Sequence, residues 1–332
     1  MQNKTVVVTG GCGFIGSHLV DLLIKNDYSV RVIDNLAGGH ISNINDHFNN
    51  NRLTFYQKDI LDLKSDSEIF KNVSYVFHLA GIGDIVPSIE NPVSYMNVNI
   101  QGTVKVLECA RRSKIKKFVY AASSSCYGLA DVPTKENHKI DPQYPYALSK
   151  YNGEQACFHW SRVFDLPVNS IRIFNAYGTR VRTTGVYGAV FGVFLKQKLA
   201  CKPFTVVGDG SQTRDFVYVT DVARAFLMAA QTSKSGEVYN LGAGSPQSIK
   251  RLTELLGGEV VYVPARPGEP NCTWADIDKI NLELGWVPSV TFESGIAMMI
   301  KEIENWKDAP LWEPESIAKA TQTWFEFMEK KN

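Results

Sequence analysis

The residues best suited to do chemistry are a tyrosine and a lysine near the middle of the chain. Tyr146 and Lys150 are four residues apart in a predicted helix that starts at Tyr146, so both side chains lie on one helical face. An ammonium group near a phenol favours the phenolate and lowers its pKa from about 10 toward neutral pH. Tyr146 is therefore a candidate base, although a Y-x-x-x-K pair alone is more often a surface feature.

A glycine-rich loop near the N-terminus is a second candidate site. The apolar run Val6–Thr9 leads into Gly10, Gly13 and Gly16, and an apolar helix follows. A loop between a strand and a helix lets the backbone approach a pyrophosphate at the helix N-terminus, whereas a bare glycine triplet would suit a structural turn equally well. The G-x-x-G-x-x-G spacing differs from the G-x-G-x-x-G of the commonest dehydrogenases.

An acidic residue follows this loop at the distance that a dinucleotide site requires. Asp34 ends the second predicted strand, where a carboxylate can accept hydrogen bonds from the adenosine ribose hydroxyls. A 2′-phosphate there would meet like charge, so NAD is favoured over NADP as the cofactor. Asp59 and Ile60, just past the third predicted strand, are expected to face the adenine.

The elements that position these residues alternate between short apolar runs and helical patterns, as in stacked β-α-β units. The predicted strands are Thr5–Thr9, Ser29–Ile33, Leu53–Gln57, Tyr75–Leu79, Lys117–Ala121 and Val168–Phe174, and the predicted helices are Phe14–Lys25, Val93–Arg112 and Tyr146–Phe164. We therefore expect an α/β fold with a Rossmann-type, doubly wound parallel sheet. Its carboxyl edge would gather the glycine loop, the serines after the fifth strand and Tyr146.

The second half of the chain has a different sequence pattern, with short predicted strands, glycine-rich turns and prolines. It predicts a smaller α+β lobe packed on the sheet. Residues 1–175 are assigned to an NAD-binding domain, to which 214–235 return, and 176–213 and 236–332 to the smaller lobe. The segment Pro314–Lys330 is predicted to be a packing helix.

Composition excludes several functional classes. The 332 residues are 44% hydrophobic and 21% charged, which argues against disorder, and 35 basic against 34 acidic side chains leave a charge of +1. No overall field therefore attracts nucleic acid or an anionic membrane. The six cysteines lie far apart without a C-x-x-C pair, so we expect reduced core thiols and no metal. Without a signal peptide or a long apolar segment, a cytoplasmic protein is expected.

Together these motifs resemble the extended short-chain dehydrogenase/reductase family, specifically its NAD-dependent nucleotide-sugar epimerases and dehydratases. The matching stretches are the glycine loop, His78–Gly81, Asn99 with Gly102 and Thr103, Ser123–Gly128, Tyr146–Lys150, Arg172–Gly178 and Gly208–Asp221. They extend from Val6 to about Pro288, which is most of the chain.

The resemblance implies a role for individual residues. Tyr146 would remove a proton from a sugar hydroxyl while hydride leaves the same carbon for the nicotinamide. Lys150 would hold the nicotinamide ribose, Ser123 the reacting oxygen, and Asn99 would order the site around the lysine. The predicted cofactor-binding residues are Gly10, Gly13, Phe14, Ile15, Gly16, Asp34, Asn35, Asp59, Ile60, Leu79, Ala80, Gly81, Asn99, Tyr146 and Lys150. The predicted substrate-binding residues are Ser124, Ser125, Asn175, Arg214, Arg266 and Thr273, of which both arginines and Asn175 would hold the diphosphate.

The residues after Ser123 favour epimerisation over dehydration. Dehydratases of this family usually carry an Asp-Glu pair there, and this chain has Ser124 and Ser125, whose hydroxyls do not titrate near neutral pH. Inversion at C4 of a UDP-hexose, through a 4-keto sugar, is the main hypothesis. A nucleotide-sugar dehydrogenase that releases the 4-keto sugar, and a sensor without turnover, are alternatives.

The identity of the sugar is less closely specified. In the family, a residue at the position of Thr273 controls the room around the sugar, and a small one accompanies N-acetylhexosamines. UDP-GlcNAc/GalNAc and UDP-Glc/Gal are therefore the expected substrates. Arg180 and Arg182 add positive charge near the expected sugar site and keep UDP-glucuronate open. By analogy, the two long helices are expected to form a four-helix homodimer interface.

Overall fold

The computed structural model describes residues 4–181, 190–265 and 268–329. The strands are β1 (Thr5–Thr9), β2 (Ser29–Asp34), β3 (Leu53–Gln57), β4 (Tyr75–His78), β5 (Lys117–Ser123), β6 (Val168–Ile173), β7 (Asn175–Tyr177), β8 (Phe204–Val207), β9 (Thr213–Arg214), β10 (Phe216–Tyr218), β11 (Glu237–Leu241), β12 (Gln247–Ser248) and β13 (Val260–Val263). The helices are α1 (Phe14–Lys25), α2 (Val86–Glu90), α3 (Pro92–Met96), α4 (Thr103–Arg112), α5 (Pro145–Phe164), α6 (Val190–Leu199), α7 (Val219–Gln231), α8 (Ile249–Leu256), α9 (Asp278–Leu284), α10 (Phe292–Lys301) and α11 (Pro314–Glu329).

Seven parallel strands form the main sheet in the order β11-β6-β5-β4-β1-β2-β3. Val8 in the first strand is paired with Val32 on one side and with Phe77 on the other. The chain builds outward from β1 through β2 to β3 and then crosses to β4 on the opposite side of β1. Parallel sheets bind ligands in the crevice at such a reversal, outside the carboxyl ends of the strands.

Helices cover both faces of this sheet, which confirms the predicted doubly wound architecture. Val6 and Val8 point into a core shared with α1 and α7, while Val7 points into the core formed with α4 and α5. A third core, rich in aromatic residues, is formed by the part of the chain from Tyr177 onward. The parallel pair β8 and β13 packs beside this core.

Two elements differ from the sequence-based expectation. The predicted helix Val93–Arg112 is divided, because a π-helical stretch at Asn97–Gly102 separates α3 from α4. At Gly102 the stretch passes so close to the side chain of Ile60 that a Cβ would lie 2.5 Å from its Cδ1 atom. A π-helical turn of this kind redirects a side chain without ending the helix, and here the side chain is that of Asn99.

The second difference concerns β11, which we had assigned to the smaller lobe with 236–332. It pairs with β6 over the whole of Glu237–Leu241 and forms the edge of the main sheet. Its buried side chains Tyr239 and Leu241 join the core on the α1/α7 face. The apolar pattern of this strand is short, so sequence alone did not separate it from the lobe. The other assignments of the two lobes stay predictions.

Helix α11 covers most of the segment that was predicted to be a C-terminal packing helix, and Lys330 lies outside the described residues. Ile317 and Trp324 are buried, and the helix contacts α2 near the carboxyl edge of the sheet. Among the described residues, no helix is long and apolar enough to span a lipid bilayer.

Candidate active site

The glycine loop is packed too tightly for any side chain at its first and last glycines. Gly10 has φ +71°, and a Cβ there would lie 2.7 Å from the Ala80 backbone nitrogen. A Cβ on Gly16 would lie 2.1 Å from the Gly10 carbonyl oxygen, while Gly13 donates its N–H to that same oxygen. The loop therefore runs directly against the residues that follow β4 and brings the N-terminus of α1 to the sheet edge.

The carboxylate of Asp34 lies at the end of β2, beside the loop. It accepts hydrogen bonds from the backbone N–H groups of Cys12 and Leu36, at 2.9 and 2.8 Å. Burial raises its pKa, and the two backbone hydrogen bonds oppose this effect. The next residue, Asn35, donates to Asp59 at 2.8 Å, so this part of the predicted adenosine site is assembled.

Asn99 holds the segment after β4 in place. Its side chain donates to the Ile82 carbonyl and accepts from the Ile82 N–H, at 3.0 and 2.8 Å. It also donates to Ser149 Oγ of α5 at 2.9 Å. Asn99 thus joins the segment that carries Leu79, Ala80 and Gly81 to the helix that carries Lys150, as the family resemblance implied.

A buried histidine, His78, also helps to hold the segment after β4 in place. The Thr103 hydroxyl donates to the Asn99 carbonyl, so His78 Nε2 must donate to Thr103 Oγ1, at 2.9 Å, and its Nδ1 must accept from Thr9 Oγ1, at 2.7 Å. Burial first, and then the charge of Lys150, lowers the pKa of His78 to about 3. The imidazole is therefore neutral and connects β1 and β4 to Thr103, the first residue of α4. Sequence analysis quoted His78 without assigning it this task.

Tyr146 belongs to a closed cluster of two phenols and two serine hydroxyls. Its phenol shares a hydrogen bond with Ser123, and the phenol of Tyr144 shares one with Ser125. The Ser123 hydroxyl in turn donates to Ser125 Oγ at 3.0 Å. The two tyrosine rings are parallel, with centroids 6.5 Å apart and an interplanar angle of 4°. Tyr144 was missed in the sequence, where only its spacing of two residues from Tyr146 could have indicated it.

The charges around Tyr146 differ from the expectation. Burial raises the pKa of Tyr146, the Ser123 hydrogen bond lowers it, and the nearby carboxylate of Asp84 raises it further. Burial also lowers the pKa of Lys150 to about 8, and a Cβ placed on Gly81 would lie only 3.7 Å from its Nζ atom. The predicted lowering of the phenol pKa is not found in this structure, where burial gives the largest shift and raises the pKa of Tyr146 above its ordinary value.

Two of the predicted substrate residues are in direct contact. Thr273 Oγ1 donates to Asn175 Oδ1 at 2.7 Å. The loop that carries Thr273 is held by the buried carboxylate of Asp215, which accepts from the N–H groups of Ala243 and Ala275 at 2.7 and 2.9 Å. Burial raises the pKa of Asp215, and its backbone hydrogen bonds oppose this. Asp215 thus joins the loop that follows β11 to the loop that carries Thr273.

Arg214 lies in β9 with its guanidinium already engaged. One nitrogen donates to the Thr213 carbonyl at 2.8 Å and another to Glu269 Oε1 at 2.6 Å. Glu269 was not among the residues predicted for the site. Arg266, the second predicted diphosphate ligand, lies outside the described residues.

The arginine that suggested a uronate substrate faces a different element. Arg180 Nη1 donates to Asp21 Oδ2 of α1 at 2.8 Å, so its charge is compensated there. Arg182 lies outside the described residues. Asp84, next to Tyr146, has φ +77° and contributes negative charge on the side of the phenol.

The comparisons with known proteins agree with this geometry. A family model described as the NAD dependent epimerase/dehydratase family matches residues 6–242. A protein of Methanocaldococcus jannaschii with the provisional name UDP-glucose 4-epimerase is 39% identical over 310 residues, which cover 91% of this chain and 97% of the relative.

Two solved structures are similar over almost their whole length. The UDP-N-acetylglucosamine 4-epimerase from Methanobrevibacter ruminantium M1, in complex with UDP-N-acetylmuramic acid, has a TM-score of 0.87 and 33% identity, and the match covers 92% of this chain and 99% of that one. The UDP-glucuronic acid 4-epimerase from Bacillus cereus, in complex with UDP-glucuronic acid and NAD, has a TM-score of 0.84 and 33% identity, with coverage of 91% and 99%. These matches confirm the resemblance inferred from the motifs, and the chain belongs to the NAD-dependent epimerase/dehydratase family.

Proposed function

We propose that this protein is an NAD-dependent UDP-sugar 4-epimerase that inverts C4 of a UDP-hexose through a 4-keto intermediate. The observation that carries the proposal is the arrangement of three side chains at the switch point of the sheet. Tyr146 shares a hydrogen bond with Ser123, and Lys150, one turn further along α5, lies against Gly81 on the segment that touches the glycine loop. The three relatives described above are named as enzymes that act on UDP-sugars, which supports the same conclusion.

The residues present fit NAD. Gly10 and Gly16 leave no room for side chains beside the helix N-terminus, so the backbone there can approach a pyrophosphate. Asp34 keeps its carboxylate fixed at the end of β2, where ribose hydroxyls would donate to it. Phe14 and Ile15 would flank the pyrophosphate, Asn35, Asp59 and Ile60 the adenosine, and Leu79, Ala80 and Gly81 the region toward the nicotinamide.

The chain's own residues would divide the acid-base work. Tyr146 accepts the proton of the sugar 4-hydroxyl and later returns it, while Ser123 holds the same oxygen by a hydrogen bond. Lys150 places a positive charge beside this group. The chemistry that bound NAD supplies is reversible hydride acceptance at C4, together with a positive charge that favours the phenolate. Because burial raises the pKa of Tyr146, a positive charge beside the phenol would favour the phenolate.

The substrate side would hold the diphosphate with Arg214, Arg266 and Asn175, and the sugar near Ser124, Ser125 and Thr273. The contact between Thr273 and Asn175 joins the two subsites directly. A threonine leaves more room than a tyrosine would, which favours UDP-GlcNAc/GalNAc or UDP-Glc/Gal. UDP-glucuronate is the second candidate, but Arg180 is paired with Asp21, and Asp84 would repel a second carboxylate.

A panel of sugar nucleotides tests the proposal. Purified protein is incubated with UDP-, GDP-, CDP- and dTDP-sugars, and both the C4 epimer and NADH are measured. We expect a UDP-hexose to reach the same equilibrium from either epimer without net NADH. Activity only with a non-uridine sugar would refute the substrate class, and stoichiometric release of NADH would indicate a dehydrogenase.

A pair of tyrosine variants tests the assignment of the base. Tyr146→Phe should abolish turnover, with NAD binding retained, because the ring packing is preserved and only the hydroxyl is lost. Tyr151→Phe, on the same helix, is the matched control and should leave kcat unchanged. Comparable activity in Tyr146→Phe and the wild type would refute the mechanism.

We also propose a homodimer, formed by α4 and α5 in a four-helix bundle. Large apolar side chains on α3 and α5 are exposed, including Val93 at 66% and Val163 at 53%. All six cysteines are free, which suits the reducing cytoplasm that we propose as its location. Sedimentation of the wild type against Val163→Glu would test the interface.

A further inference from the structure

The C-terminal helix α11 (Pro314–Glu329) follows the part of the chain that the family model matches, which ends at residue 242. The Methanocaldococcus protein is matched over 97% of its length by 91% of this chain, so roughly 30 residues of the chain lie outside that match.

This helix connects the smaller lobe to the edge of the active site. Its first half, with Ile317, faces Val207 of β8 and Val263 of β13 across an apolar cavity. Its second half reaches the main domain, where Thr323 Oγ1 donates to Glu90 Oε1 of α2 at 3.1 Å. One helix thus contacts elements on both sides of the cleft.

Trp324 connects this helix to the tyrosine pair of the candidate site. It is 5% exposed, and its ring packs edge-to-face on Tyr144, with centroids 6.0 Å apart and an interplanar angle of 64°. Tyr144 is stacked in parallel on Tyr146. An aromatic column therefore runs from α11 through Tyr144 to the candidate base.

The first turn of α5 is held by contacts between aromatic rings. Tyr144 is the N-cap residue of this helix, and no side-chain cap hydrogen bond is formed there. Tyr146 lies in the first turn, where backbone N–H groups lack partners within the helix and the end of a helix frays most easily. Ring contacts with Tyr144, and with Tyr95 on the other side at 6.4 Å, restrict the phenol instead.

We propose that Trp324 is a positioning residue, which acts through Tyr144 to hold the Tyr146 hydroxyl against Ser123. The inference rests on the proposed function, because it assigns Tyr146 the role of base. Trp324 itself touches neither the proposed reacting carbon nor the proposed cofactor cradle. Its loss should therefore impair the chemical step more than the binding of NAD or of the UDP-sugar.

The test compares Trp324→Leu and Trp324→Phe in the full-length protein with the best UDP-hexose of the panel. Leucine fills part of the space without an aromatic edge, and we expect kcat to fall by about 10- to 100-fold, as a misplaced base would cause. The KM and the NAD dissociation constant should change by less than about threefold. Phenylalanine restores the ring contact and should recover kcat to within about threefold of the wild type.

Ile317→Ala is the matched control, since it removes a buried apolar side chain from the same helix without touching the tyrosines. We expect Ile317→Ala to lower Tm by about as much as Trp324→Leu does. It should leave kcat per folded molecule unchanged. An unchanged kcat in Trp324→Leu, or an equal loss in Ile317→Ala, would overturn the inference. An inactive wild type would instead refute the proposed function, so the two failures can be told apart.

Discussion

The Nζ atom of Lys150 lies 4.6 Å from the centroid of the Tyr120 ring. The lysine side chain is 7% exposed, and the Tyr120 hydroxyl donates to the lysine's own carbonyl oxygen at 3.2 Å. An aromatic face compensates a buried cation less fully than a carboxylate does, and burial lowers the pKa of Lys150 to about 8. The lysine is therefore charged at neutral pH. Burying this charge lowers the stability of the folded protein.

Replacing this lysine should separate stability from activity. The pKa of Lys150 is about 8 in the folded protein and 10.5 in its ordinary state. Between these two pH values the unfolded chain binds more protons than the folded chain, so Lys150 makes the free energy of unfolding rise with pH. Lys150→Met removes the buried charge, and at pH 7 its Tm should be equal to or above that of the wild type. The variant should lose about 10²- to 10⁴-fold in kcat. Thermal melts and kcat at pH 7 check this, and a strongly lowered Tm would contradict it.

The tight packing of the glycine loop predicts a selective loss of NAD binding. Gly10→Ala would place a Cβ against the backbone atoms of Leu79 and Ala80, which cannot move without distorting the sheet edge. The positive φ at this position is also unfavourable for alanine. We expect NAD affinity to fall by about 100-fold or more, or the protein to lose about 2 kcal/mol of stability. Gly38→Ala is the control, because nothing lies within 4 Å of its Cβ position. Equal NAD titrations for the two variants would be incompatible with the proposed cradle.

The buried ion pair below the active site predicts a large stability effect. Arg172 on β6 makes hydrogen bonds of 3.0 and 2.6 Å to the two carboxylate oxygens of Glu154, which lies one turn after Lys150 on α5. Both side chains are almost fully buried, so Glu154→Gln leaves an uncompensated charge and should cost about 3–5 kcal/mol in urea unfolding. The exposed pair of Glu68 and Lys71 is the control, and Glu68→Gln should cause no measurable change. A loss as small as that of the control would show that Arg172 is solvated.

The carboxylate at the end of β2 predicts cofactor preference. Asp34 is fixed by two backbone N–H groups and would face a 2′-phosphate directly. NADP should bind about 100-fold more weakly than NAD, and Asp34→Asn should narrow this gap to about tenfold, because the like charge is removed. Isothermal titration with both cofactors measures it. Equal affinities in the wild type would mean that Asp34 does not face the ribose.

Much of the fold could be predicted from the sequence, because its signals are local. The first strand and the first helix have the predicted bounds, and the glycine loop joins them at the predicted position. The division of the long helix at Asn99 could not be predicted, since it depends on a tertiary hydrogen bond to Ile82. The membership of β11 in the main sheet likewise depends on pairing with a strand more than 60 residues earlier.

The sequence predicted which residues form the candidate site, but not the electrostatics around them. Tyr146, Ser123 and Lys150 do converge at the carboxyl edge, as their motifs indicated. Burial of the phenol among neighbouring rings sets the direction of its pKa shift. Tyr144 lies just before the predicted helix, and Trp324 lies in the segment that was predicted to be a packing helix. The pairing of Arg214 with Glu269 also arises only when β9 meets the loop that carries Glu269.

The most direct test of the central claim follows one hydrogen atom. A UDP-hexose with deuterium at C4 is incubated with the enzyme in ordinary water, and the C4 epimer is analysed by NMR. Oxidation and reduction at C4 by the same bound NAD predict that the epimer keeps its deuterium at C4, and that Tyr146→Phe forms none of this product. Loss of the deuterium to solvent, or inversion by Tyr146→Phe at the wild-type rate, would contradict the account.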